Sequence, residues 1–116
     1  MKSLATITEK DIETIKMALN DSISDMNTEL KQEMKEKKRV ALLDYKNKYS
    51  KVYDKLRQNP SIYSLSETEL DITAGGLNDA VQLIEENLTD DLPPEERDEI
   101  IGYKNECDRL VELLAG

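Results

Sequence analysis

Apolar residues return at helical spacing through most of the chain. From residue 12 they run Ile12, Ile15, Leu19, Ile23, Met26, Leu30 and Met34. Steps of three and four keep such residues on one face of an α-helix for about six turns. Thr8 can cap this helix, with Asp11 at N3, and Ile7 and Ile12 stand where a hydrophobic staple closes across the cap. A second stripe follows at Leu42, Tyr45, Tyr49, Val52 and Leu56. The segment between them, Lys35-Glu36-Lys37-Lys38-Arg39, holds no apolar residue. At about 100° per residue the second stripe lies roughly 90° round from the first. This pattern allows one helix over 8–58 whose halves face different neighbours, or two helices broken near residue 37. No Gly or Pro occurs between Thr8 and Asn59-Pro60, which favours the single long helix.

The third stripe is Leu70, Thr73/Ala74, Leu77, Ala80/Val81, Ile84 and Leu88. It opens with Ser66-Glu67-Thr68-Glu69, a capping box, with Leu65 and Leu70 as its staple. Gly75-Gly76 sits inside this stripe and costs about 2 kcal/mol relative to alanine. The expectation there is close approach of a neighbouring helix or a local kink. A phosphate-binding glycine loop needs a strand before it, and no strand pattern is present. After Thr89-Asp90-Asp91-Leu92, the prolines 93 and 94 suit a helix start. Glu95, Glu96, Asp98 and Glu99 fill the first turn, and the stripe Ile100, Tyr103, Cys107, Leu110, Leu114 completes it.

Nothing alternates with period two. The fold class is therefore all-α: a single helical domain over 1–116, built as a helical bundle. It has a long N-terminal helix, with a break near residue 37 as the alternative, and a C-terminal antiparallel hairpin at 66–88 and 94–114. The hairpin is expected to cover Leu42, Tyr45, Tyr49, Val52 and Leu56. A helix over 8–58 cannot be covered by the rest of the chain. Ile12, Ile15, Leu19, Ile23, Met26 and Leu30 are then left as an interface for a partner helix or a second copy in a coiled-coil dimer.

Composition narrows the chemistry. The 116 residues are 38% hydrophobic and 35% charged, with no Trp, Phe or His and one Cys. That core is thin, as suits a helical bundle. Without His, the commonest general base and metal ligand is absent. A lone Cys107 can form neither an internal disulfide nor a cysteine zinc site, and its place on a stripe reads as a small buried hydrophobe. Neither Asp79 to Glu86 nor Asp90 to Asp98 follows the order of an EF-hand loop. The expectation is no catalysis, no cofactor and no metal. No apolar run reaches the roughly 20 residues of a membrane helix. The first eight residues have no apolar leader core, so a cytoplasmic protein is expected.

Charge changes the picture more. The net charge is −9, but it is segregated. Residues 31–58 carry ten basic and four acidic side chains, a net of +6; residues 59–116 carry three basic and fifteen acidic, a net of −12. The acidic hairpin would fold against the basic helix and set which helices become neighbours. Lys46, Lys48, Lys51, Lys55 and Arg57, interleaved with tyrosines, have the ingredients of a nucleic-acid surface. Tyr45 and Tyr49 lie on the apolar stripe, however, and the net charge opposes phosphate, so direct nucleic-acid binding is not expected.

The densest acidic cluster is Asp90, Asp91, Glu95, Glu96, Asp98 and Glu99. These patterns point to a non-enzymatic adaptor, inhibitor or assembly factor acting through helix contacts with a protein partner. The alternative is an acidic inhibitor, of phage or mobile-element origin, that occupies the nucleic-acid site of a DNA- or RNA-handling protein.

Overall fold

The computed structural model describes residues 4–115; Gly116 and residues 1–3, where the leader reading begins, lie outside them. After a 3₁₀ turn at Leu4–Thr6 come α1 (Glu9–Leu30), α2 (Glu36–Gln58), a 3₁₀ turn at Ile62–Ser64, α3 (Glu67–Asn87) and α4 (Pro94–Ala115). No strand occurs among the described residues. The all-α bundle and its C-terminal hairpin are as the periodicity predicts. Both helix-start signals close as full capping boxes, Thr8 with Asp11 and Ser66 with Glu69.

The single helix over 8–58 does not form. The chain turns at residues 31–35, and α2 folds back along α1. The turn has no Gly or Pro; instead Arg39 Nη1 donates to the Leu30 carbonyl at 3.0 Å and Nη2 to the Gln32 carbonyl at 3.3 Å. A side chain from the second helix thus satisfies the carbonyl of the last residue of the first and one in the turn itself. The physical reason for the break is the offset between the two stripes. Folding back buries both on one core, whereas a straight helix would leave the first in water.

The expected free stripe is therefore corrected. Ile12, Ile15, Leu19 and Met26 are buried inside the chain's own core, and Ile23 and Leu30 are half-buried. The hairpin covers the α2 stripe only in part: α3 packs on α2 and Tyr49, Val52 and Leu56 are buried, while Leu42 is half-buried and Tyr45 exposed. α1 and α3 each pack against all three other helices, and α4 lies on α3 and α1 and not on the α2 stripe. Two features bring α1 against α3. Ser22 donates to the Gly76 carbonyl at 3.0 Å. A Cβ on Gly76 would stand 2.6 Å from Leu19 Cδ2, so the glycine permits the close approach.

The core continues through Tyr49, Val52 and Leu56 of α2, Leu70, Leu77 and Val81 of α3, and Cys107, Leu110 and Leu114 of α4. α1 runs parallel to α3 and antiparallel to α2 and α4. One end thus gathers the start of α1, the end of α2, the start of α3 and the end of α4. There Arg109 of α4 pairs with Asp11 of α1 at 2.5 Å, and Lys55 of α2 with Glu69 of α3 at 2.8 Å.

Candidate functional site

At the opposite end, α2 and α3 part. A hydrogen bond from the Tyr49 hydroxyl to Asp79 Oδ2 at 2.7 Å ties them where the gap begins. Along α2 towards its N-terminus, exposure rises from 4% at Tyr49 to 52% at Tyr45. The space that opens is a wedge of about 570 Å³. Its floor is α1, with Asp25, Met26 and Glu29; one wall is α2, with Leu42 and Tyr45; the other is α3, with Asp79, Gln82, Leu83 and Glu86. Among the described residues, the four charged side chains on this surface are all carboxylates, and no Lys or Arg lines it.

The two walls differ in chemistry. α2 offers an apolar and aromatic face, with the Tyr45 and Tyr49 rings tilted by 51° at 6.3 Å between centroids. α1 and α3 offer the carboxylates and the amides of Asn78 and Gln82. Burial raises the Tyr49 hydroxyl above its ordinary range, and the bond to Asp79 raises it further. Tyr49 is therefore a fixed donor that closes the apex of the wedge. Cations already approach its rim. Lys38 Nζ lies 4.0 Å from Glu29, and Lys48 Nζ stands 5.4 Å from the centre of the Tyr45 ring.

The surfaces expected from sequence lie elsewhere. Asp90, Asp91, Glu95, Glu96, Asp98 and Glu99 are all exposed at the α3–α4 turn and the start of α4. Within that cluster, Arg97 pairs with Asp90 at 3.3 Å. The basic residues do not form one patch. At 100° per residue, Lys48, Lys51 and Lys55 fall on one flank of the α2 core stripe, and Lys46 and Arg57 on the other. Lys48 pairs with Asp44 at 3.0 Å, so part of that charge is neutralised within α2 itself.

Cys107 is fully buried, and burial pushes its thiol up to about 11, which keeps it protonated. Sequence reasoning missed Asp25, Glu29, Asp79 and Glu86. Each lies beside an apolar stripe and reads alone as a solvated residue; the available signal was that all four flank stripes and share one sign.

Among the described residues, no three His, Cys, Asp or Glu side chains are grouped to hold a metal ion. Nor is any helix among them long and apolar enough to cross a membrane. No protein-family model matches the chain, and no curated protein or solved structure shows significant similarity to it.

Proposed function

We propose that this is a non-enzymatic interaction protein of the cytoplasm, an adaptor or inhibitor, which grips a basic segment of a protein partner in the wedge between α1, α2 and α3. The observation that carries this reading is the charge of the surface: Asp25, Glu29, Asp79 and Glu86 line one concave site, no Lys or Arg lines it, and Lys38 meets Glu29 only from the rim. Carboxylates facing one cavity repel each other, and a partner's Lys or Arg relieves that repulsion. The aromatic wall supplies a ring face for the same cations. The free, buried thiol of Cys107 suits a reducing compartment.

The test is binding of Lys- and Arg-rich peptides to the full chain, measured by fluorescence anisotropy at two salt concentrations. Asp25→Asn combined with Glu86→Gln is expected to weaken binding about tenfold, and raised salt to weaken it further. Peptides that bind the double variant as tightly as the wild type would refute this reading.

A second reading is favoured by the exposure of all six carboxylates from Asp90 to Glu99. They could occupy the nucleic-acid site of a partner. Reversing Glu95, Glu96, Asp98 and Glu99 to Lys would then abolish activity and leave peptide binding in the wedge intact.

A further inference from the structure

We infer that the segment this wedge takes is an α-helix with Lys or Arg at i, i+4 and i+7, lying along α1 and α3; this rests on the basic-segment reading above. The carboxylates stand in two rows whose intervals come from helix geometry. Asp25 and Glu29 on α1 are one turn apart, a rise of about 6 Å. Asp79 and Glu86 on α3 are two turns apart, a rise of about 10.5 Å.

The Ser22 bond to the Gly76 carbonyl sets the two helices level. Counting three residues on from each member of that bond reaches Asp25 and Asp79. These two therefore start level, with Glu29 and Glu86 following at about 6 and 10.5 Å.

A helical ligand rises by the same 1.5 Å per residue. Its residues i, i+4 and i+7 share one face and stand at 0, about 6 and about 10.5 Å, matching both rows. An extended ligand rises about 3.3 Å per residue. It meets the first interval at i+2 and the second near i+3, where the side chain points to the other side of the strand. Only the helix satisfies both intervals from one face. The opposing wall of Leu42 and Tyr45, with Met26 and Leu83, then receives an apolar flank of that helix. Lys38, at the rim beside Glu29, shows that a lysine side chain reaches this row.

Two synthetic peptides of identical composition test the register against the full-length chain. One carries lysines at i, i+4 and i+7 with leucines on one flank; the other is a permutation that breaks this spacing. The patterned peptide is expected to bind about tenfold tighter and to gain helical circular dichroism on binding, and the Asp25→Asn/Glu86→Gln variant to lose the preference. Equal affinity for the two peptides would overturn the helical register and leave the basic-segment reading standing. Binding of neither would overturn both. Spermidine displacing the patterned peptide at equal charge concentration would show plain charge attraction, and would likewise overturn the register.

Discussion

The two ends of the bundle face the same packing problem and answer it differently. At the closed end, Ile12, Leu56, Ile62, Leu65, Leu70 and Leu114 fill the space between the helices. Ion pairs then join α1 to α4 and α2 to α3 across the rim. At the open end the stripes thin out, and Asp25, Glu29, Asp79 and Glu86 line the space beside Met26, Leu42 and Leu83. The difference teaches where stability and binding reside. Apolar burial holds the closed end and leaves it nothing to offer a ligand. The open end gives up that burial and keeps a charged surface.

The largest contrast is expected from paired truncations. Leu56 is fully buried at the closed end, so Leu56→Ala removes core volume and should cost about 3 kcal/mol. Leu42 lines the wedge and is half-buried, so Leu42→Ala should cost about 1 kcal/mol. Urea unfolding of both variants measures this. Equal losses would mean that the two ends are packed alike and the comparison is wrong.

Next in size is Gly76→Val. The glycine is in an ordinary helical conformation, with no positive φ among the described residues, so backbone freedom is not the reason for it. Space is the reason, because Leu19 Cδ2 occupies the position a side chain would need. Overpacking here should cost about 2 kcal/mol and weaken the Ser22 bond. Gly102 is the control, since a Cβ added there would meet nothing within 4 Å. Gly102→Ala should stabilise by up to about 1 kcal/mol through helix propensity alone.

Arg109→Ala sharpens the comparison through pH. Burial raises the Asp11 carboxyl, but the Thr8 backbone N–H and the Arg109 guanidinium outweigh it and hold the group below its ordinary value. A depressed folded-state pKa contributes stability above the unfolded value of about 4 and loses it as pH falls through the folded value. Glu69 is held down as well, by Lys55 first and then by the Ser66 N–H. Wild-type stability should therefore decline below about pH 4. Without Arg109, burial acts on Asp11 with less opposition. The variant should lose about 1 kcal/mol at pH 7 and decline less steeply in acid. Parallel acid limbs for the two proteins would show that Arg109 does not set the state of Asp11.

Much of this fold was legible in the sequence, because capping boxes and stripes are local signals. Thr8 with Asp11 and Ser66 with Glu69 close as read, and Leu70, Leu77, Cys107 and Leu110 are buried where the periodicity places them. What was not legible depends on contacts distant in sequence. A stripe announces that it needs cover but not which helix supplies it, and so Ile12 to Met26 reads as unpartnered. The wedge was hidden for a related reason. Asp25 and Asp79 are 54 residues apart, and only the seating of Ser22 against Gly76 brings them level.

The turn at residues 31–35 gives the smallest expected effect and tests why the chain bends without Gly or Pro. Lys35 caps α2 with extended backbone and no side-chain hydrogen bond, so the cap residue does little to fix the bend. The restraint comes from Arg39, which reaches back over the turn to the carbonyls of Leu30 and Gln32. Both bonds are charge-assisted but sit at a solvated rim, so Arg39→Ala should cost about 0.5–1 kcal/mol of global stability. The local effect should be larger than the global one. Amide exchange near the end of α1 should accelerate in the variant while that at Ile15 and Leu19 keeps its protection. Uniform acceleration across α1 would instead mean that the turn and the closed end unfold as one unit, and that the open end has no separate freedom with which to admit a ligand.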